Sequence, residues 1–361
     1  MSVAAGTKVV PGSVPSGASE PPRLAIVVSH PIQYFSPLYR AIAANQTVDL
    51  KVFFCSRIGL DAFHDPRMGV EFGWKTDLLG GYVSSFLDSA SNVKSLDWRS
   101  FDNRDIGPAL AAFDPNAVII HGYSSKTLLR AMLWARRRGV PTMLVADSST
   151  DTSRSTAVRK LKRVVLPMLL KRYDTILTMS ERGEAYFKSY GVPSDRLFRV
   201  PTMMDENFWR ARDHRQAERD HLRASLEIPA SAFVVLAVGK IYPTKRVGDI
   251  VEALQRLHHP AVHLLVVGDG QDRREVEQQA RLAKLNATFA GFVNIDKLAS
   301  YYASADCLVH AASLEQFGMV AIEAAILGLP MILSDRIGAI GATSIAPVSY
   351  THLTLPTNRE V

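Results

Sequence analysis

The sequence has 361 residues, of which 47% are hydrophobic and 21% are charged, with a formal net charge of +7. This composition and length predict a globular protein with two domains, and no apolar stretch is long enough to span a bilayer. Two cysteines exclude a disulfide framework and a cysteine metal cluster, which favours a reducing compartment. The positive charge favours anionic partners, but it does not distinguish among nucleotides, lipids and nucleic acid.

The N-terminal part predicts a disordered lead-in followed by a β-α-β unit. Residues 1–22 are rich in small residues and proline and lack an apolar core flanked by basic residues, so they do not resemble a signal peptide. Strands are predicted at 24–28 and 50–54, with a helix between them. The first turn lacks the G-x-G-x-x-G pattern, which disfavours a nicotinamide dehydrogenase.

Three first-half residues follow predicted strands and are candidates for substrate contact. His30 and Gln33 lie in the loop after the first strand, and His121 ends the strand predicted at 117–120. The carboxyl ends of parallel strands border the crevice where such sheets bind ligands. For His30, helix capping or packing is an equally good interpretation.

Residues 154–172 combine basic and apolar residues and predict an amphipathic helix, although Pro167 limits its regularity. Two interpretations stay open. The helix contacts an anionic membrane surface, or it packs on the domain with a solvated basic face.

In the second half, a strand predicted at 233–238 leads into Gly239, Lys240 and Lys245. Glycine at a strand end allows the backbone to approach a phosphate closely, and the two lysines add positive charge to the same turn. The turn is not a Walker loop, because G-x-x-x-x-G-K is absent. Strands and helices alternate through this half, which predicts a parallel sheet; a generic basic turn is the alternative for the lysines.

Two carboxylates follow the strand predicted at 306–310. Glu315 lies on the loop that leaves this strand, and Glu323 lies in the helix that begins after Phe317 and Gly318. At a strand's carboxyl end, such a pair can bind two parts of one polyhydroxylated ligand while the helix N-terminus attracts an anion. The pattern predicts a nucleotide-sugar site, with a chance pair of glutamates as the alternative.

Glu315 and Glu323 with seven residues between them, the Phe-Gly pair and the run 328–335 resemble the signature of the retaining family 4 glycosyltransferases. The resemblance covers nearly all of residues 24–345. It implies an α/β protein of the GT-B fold, with two Rossmann-like parallel-sheet domains that face each other across a cleft. The expected divisions are a lead-in at 1–22, an acceptor-side domain at 23–205, a linker at 206–230, a nucleotide-sugar-binding domain at 231–347 and a tail at 348–361.

The resemblance also implies roles for individual residues. Glu315 holds sugar hydroxyls, Glu323 holds the ribose, and the lysines neutralise the donor diphosphate. Lys240 stands where the family has arginine, which keeps the charge but loses the bidentate geometry. The catalytic set is His121, Lys240, Lys245 and Glu315; the donor-binding set is Gly239, Phe317, Gly318, Met319 and Glu323; and the acceptor-side set is His30 and Gln33.

The implied activity is retaining hexosyl transfer from a UDP- or GDP-linked donor to a glycan or lipid-linked acceptor, in bacterial surface polysaccharide synthesis. The sequence contains no D-x-D string, so we expect neither a metal nor another cofactor. We expect a cytoplasmic enzyme with optional contact to the inner membrane face through residues 154–172, and no nucleic-acid partner. The alternatives are a nucleotide-sugar 2-epimerase of related fold and a non-catalytic nucleotide- or glycan-binding remnant.

The C-terminal residues 348–361 resemble the translation of a sequencing-library adapter. We therefore expect a non-native tail and an incomplete second domain. A natural polar tail is the alternative.

Overall fold

The computed structural model describes residues 20–60, 63–65, 70–73, 76–93, 100–146, 148, 156–200, 204–211, 215–339 and 350–353. Most of the expected lead-in, the start of the basic segment at 154–155 and most of the expected tail lie outside these residues.

The first domain is built around a seven-stranded parallel sheet with the order β5-β2-β1-β6-β7-β8-β9, next to the antiparallel hairpin β3-β4. Its strands are β1 (Arg23–Val28), β2 (Asp49–Phe54), β3 (Phe63–Asp65), β4 (Val70–Phe72), β5 (Val83–Phe86), β6 (Ala117–His121), β7 (Thr142–Val145), β8 (Thr175–Thr178) and β9 (Leu197–Arg199). Its helices are α1 (Ser36–Ala44), α2 (Ile106–Phe113), α3 (Lys126–Arg138), α4 (Thr156–Leu170) and α5 (Glu181–Ser189).

The second domain has a six-stranded parallel sheet with the order β12-β11-β10-β13-β14-β15. Its strands are β10 (Phe233–Val238), β11 (Val262–Val267), β12 (Asn286–Gly291), β13 (Cys307–His310), β14 (Met331–Ser334) and β15 (Tyr350–Leu353). Its helices are α6 (Glu206–Arg210), α7 (Arg215–Ser225), α8 (Val247–Leu257), α9 (Arg273–Leu282), α10 (Ile295–Ala303) and α11 (Met319–Ile326). The predicted α/β class with two parallel-sheet domains is confirmed.

Each sheet is covered on both faces, which explains why its central strands are apolar throughout. In β10, Val234 and Leu236 pack in one hydrophobic cluster, whereas Val235 and Ala237 pack in another. Successive side chains of a strand point to opposite faces, so a strand buried between two helix layers needs apolar residues at every position.

Within residues 206–230, which we expected to form a linker, helices α6 and α7 pack against the second domain. Trp209 of α6 is 1% exposed, and its ring meets Tyr302 edge-to-face at 5.9 Å. Arg223 of α7 is also buried and donates hydrogen bonds to the Ser304 carbonyl and the Asp306 carboxylate, both at 2.8 Å. A buried arginine requires such partners, so this segment is part of the second domain's structure.

Several polar contacts join the two domains, and some of them involve backbone carbonyls. Arg182 of α5 donates to the carbonyls of Asp335 and Arg336, at 2.6 and 3.0 Å. Asn294 donates to the Gly73 carbonyl at 2.9 Å. The loop after β14 is therefore held from the opposite domain.

Residues 350–353, inside the segment expected to be non-native, form the edge strand β15 and pair with β14. The origin of the tail stays a prediction.

None of the helices in the described ranges is both long and apolar enough to cross a membrane.

Candidate active site

Glu315 lies at the centre of a charged cluster at the carboxyl ends of β10 and β13. These strands are neighbours in the sheet, so the turn after β10 and the loop after β13 meet. Lys245 forms an ion pair with Glu315, and Nε2 of His310 lies 3.2 Å from the same carboxylate oxygen. Sequence reasoning found Lys245 and Glu315 but missed His310, which is the last residue of β13.

The environment keeps Glu315 ionised. Burial raises the pKa of Glu315, but the hydrogen bond from His310 and the positive charge of Lys245 outweigh it and hold the pKa at about 2. An ionised carboxylate only accepts hydrogen bonds, so Nε2 of His310 is the donor. Glu315 can thus accept bonds from ligand hydroxyls at neutral pH but cannot donate a proton.

The backbone around Glu315 is fixed by a tight loop contact. The amide of Gly338 donates to the Glu315 carbonyl at 3.2 Å. Gly318 has a φ of +93°, and a Cβ there would lie 2.6 Å from Cγ2 of Ile337 and 3.2 Å from Cγ of Glu315. Only glycine fits both this conformation and this space.

The turn after β10 offers backbone and positive charge to a small pocket, which Gly239, Lys240, Lys245 and His310 line together. Gly239 has a φ of +128°, and a Cβ there would meet nothing within 4 Å. The space beside this backbone is therefore free, as the close approach of a phosphate requires.

Helix α11 begins at Met319, directly after Gly318, and no side-chain hydrogen bond caps it within the described chain. Its first amides therefore carry the partial positive charge of a helix N-terminus beside Glu315. Phe317 is 6% exposed and packs in the second domain's core, so only its backbone is available to a donor.

Glu323 is buried and contacted by tyrosines from both domains. Its Oε2 accepts from the hydroxyl of Tyr302 at 2.6 Å, and its Oε1 accepts from the hydroxyl of Tyr34 at 3.4 Å. Burial raises the pKa of Glu323 to about 7, although the two tyrosine hydrogen bonds partly oppose this. Sequence reasoning missed both tyrosines, although Tyr34 follows Gln33 directly in a loop already singled out.

His121 lies at the end of β6, in a cleft that Gln316 of the second domain also lines. Its ring packs edge-to-face on Phe35 at 4.6 Å, and burial lowers its pKa to about 3, so the imidazole is neutral. His121 lines a cleft of about 980 Å³ together with Gln316 of the second domain and Lys162 of α4.

His30 and Gln33 occupy different surroundings from His121. Nδ1 of His30 lies 2.8 Å from Oγ of Ser29, and burial lowers the pKa of this histidine to about 4. Gln33 is 8% exposed and lines a separate small cavity with Trp209. The structure thus brings Lys240 beside Lys245 in one pocket and pairs Lys245 with Glu315, but it separates Gln33 from the larger cleft.

In the part of the chain that the structure describes, no group of three or more His, Cys, Asp or Glu side chains could hold a metal ion.

Several solved structures share this architecture. HepE of Anabaena in complex with UDP superposes with a TM-score of 0.69 and 16% identity, covering 93% of this chain and 86% of that one. Sucrose-phosphate synthase of Thermosynechococcus elongatus superposes with a TM-score of 0.68 and 20% identity, also covering 93% of this chain and 86% of that one. The predicted GT-B fold is confirmed.

Residues 91–202 match the family model described as "Glycosyl transferase 4-like domain", and residues 218–344 match the model described as "Glycosyl transferases group 1". The chain belongs to the glycosyltransferases that combine these two domains.

Curated relatives carry several names within this class. A GDP-mannose-dependent alpha-mannosyltransferase of Mycobacterium tuberculosis is 30% identical over 263 residues, covering 69% of this chain and 62% of the relative. Glycogen synthase of the same species is 36% identical over 115 residues, covering 31% and 28%. Alpha-monoglucosyldiacylglycerol synthase of Acholeplasma laidlawii is 29% identical over 116 residues, covering 31% and 29%. The chain spans less than two thirds of the length of these relatives.

Proposed function

We propose that this protein is a retaining glycosyltransferase that moves a hexose from a nucleoside diphosphate donor to a glycan or lipid-linked acceptor, in the synthesis of a surface polysaccharide. The observation that carries the proposal is the pocket that Gly239, Lys240, Lys245 and His310 line, in which Lys245 also pairs with the ionised Glu315. The uncapped end of α11 begins four residues after Glu315. The UDP complex of HepE and the GDP-mannose dependence in one relative's name support a UDP- or GDP-linked donor.

The charges of the site suit departure of a nucleoside diphosphate. Negative charge develops on the β-phosphate as the glycosidic bond breaks, and fixed positive charge lowers the energy of that transition state. Lys240, Lys245 and the first amides of α11 supply it from the protein in this proposal, so that catalysis requires no metal. Glu315 orients the sugar by accepting from its hydroxyls.

Glu323 has one strong and one weak hydrogen bond, which suggests how ribose binds. The 2.6 Å bond from Tyr302 is buried, whereas the 3.4 Å contact from Tyr34 is long for an O–H···O bond. The ribose hydroxyls of the donor then replace Tyr34, while Tyr302 keeps the carboxyl in place. Donor binding would thereby change a contact between the two domains.

The two cysteines support a cytoplasmic location, since Cys55 and Cys307 are both free and buried.

A panel of UDP- and GDP-linked hexoses, assayed in EDTA for release of nucleoside diphosphate, tests the proposal. We expect release from one donor class and an NMR spectrum of the product in which the anomeric configuration is retained. Conversion of the donor to a 2-epimer would instead identify an epimerase, and nucleotide binding without turnover would identify a binding protein.

A further inference from the structure

Helix α4 presents a row of large apolar side chains to solvent. The row consists of Leu161, Val164, Val165 and Met168, which are 50–65% exposed. Their spacing of i, i+3, i+4 and i+7 places them on one face of the helix. Every other helix or strand with described side chains exposes at most one large hydrophobic residue. Single exposed residues are ordinary, whereas a contiguous patch marks an interaction surface.

The opposite face of α4 packs against the first domain. Leu166 and Leu170 are 3% and 1% exposed and pack in the core of the first domain. A surface helix normally has one apolar face and one polar face. Because α4 is apolar on both, its outer row requires a second partner.

The charges that border the row identify the chemistry of this partner. Lys160 and Lys162 lie about 100° to either side of Leu161 on the helix, and no acidic residue occurs between positions 152 and 173. Lys171 and Arg172 follow the helix directly and are exposed. An apolar row flanked by cations matches a bilayer interface with anionic head groups.

The same helix forms part of the cleft wall. The ammonium of Lys162 lies 4.9 Å from the ring centroid of Tyr186, and Lys162 lines the 980 Å³ cleft with His121 and Gln316. Any external surface that binds α4 therefore lies next to the cleft.

We propose that α4 binds an anionic bilayer through this apolar row and thereby brings the cleft to an acceptor carried by a lipid. The membrane contact stands on the geometry of α4 alone. The acceptor class rests on the proposed glycosyl transfer and selects a lipid-linked acceptor over a soluble glycan.

Co-sedimentation of the full chain with vesicles tests the membrane contact. We expect at least tenfold stronger partition onto vesicles of phosphatidylcholine and phosphatidylglycerol than onto phosphatidylcholine alone. Serine at all four positions of the row reduces this partition at least tenfold. The matched control substitutes two residues of the second domain that are equally exposed, and it partitions like the wild type. Its changes are Leu257→Ser and Leu282→Ser.

Equal partition onto both vesicle types, or an unaffected four-serine variant, would overturn the proposal. A dimer in sedimentation velocity that the four-serine variant abolishes would also overturn it, because a second copy would then cover the row. Lys160→Glu leaves the row and the core intact, so its weaker partition with an unchanged melting temperature separates membrane contact from misfolding. If the wild type binds vesicles but transfers no sugar, the enzymatic proposal is refuted, whereas the proposed membrane contact is not.

Discussion

The raised pKa of Glu323 makes the stability of the second domain depend on pH, and Glu323→Gln removes this dependence. Raising the pKa from 4.5 to about 7 means that ionising Glu323 costs the folded state about 3 kcal/mol more than the unfolded chain. Because the folded state binds the proton more tightly, the stabilisation is complete below pH 4.5. It declines as the pH rises and is lost above about pH 7.

Urea unfolding followed by tryptophan fluorescence measures the effect, since Trp209 packs on Tyr302, the partner of Glu323. Between pH 5 and pH 8, the free energy of unfolding of the wild type should fall by about 2.5 kcal/mol relative to Glu323→Gln. The comparison cancels the contributions of His30 and His121, which both proteins share. Glu275→Gln, an exposed change on α9, is the control and should keep the pH profile of the wild type.

An identical pH profile for the wild type and Glu323→Gln would refute the reasoning. It would mean that Glu323 is hydrated or ionised in the folded protein, and that its burial against Tyr34 and Tyr302 is not the resting arrangement.

Three further substitutions test the surroundings of Glu315. Because His310 and Lys245 together hold the pKa of Glu315 at about 2, the wild type should lose stability as the pH falls from 4.5 towards 2. Lys245→Met should show a smaller loss in acid urea titrations, and an equal loss would contradict this role of Lys245. Gly318→Ala should lower the free energy of unfolding by about 2 kcal/mol or more. The control is Gly139→Ala, at a position with a positive φ where an added Cβ meets no atom within 4 Å, and it should lower the free energy of unfolding by about 1 kcal/mol. Equal losses in the two variants would refute the steric argument. Arg182→Ala should speed amide hydrogen exchange at Gly338, with unchanged exchange as the contrary result.

Local patterns were sufficient to predict the sheets and part of the site. Buried parallel strands are continuous apolar runs, so β10 and β13 could be read directly, and glycine at position 239 marked the end of a strand. The sequence predicted that Lys245 and Glu315 serve one donor site, but it did not predict that β10 and β13 are neighbours or that the two side chains form an ion pair.

Contacts between distant segments could not be predicted from one sequence. Tyr34 reaches Glu323 across 289 positions, and Arg182 reaches the loop after β14 across more than 150. No periodicity encodes such pairs, because they depend on how the two domains face each other. The charged composition of the segment that contains α7 predicts a linker for a similar reason. Two partners that bury Arg223 lie about 80 residues further along the chain, and the local sequence does not reveal them.

The measurement that most directly tests the central claim is calorimetric titration of UDP and GDP into the protein in EDTA. We predict that one of the two nucleotides binds with micromolar affinity, and that Lys245→Ala weakens this affinity at least tenfold. Lys188→Ala, a lysine change on α5 away from the cluster, should leave the affinity unchanged. Absence of binding by both nucleotides, or equal weakening by the two variants, would contradict the assignment of a nucleotide-sugar site to Lys240, Lys245 and Glu315.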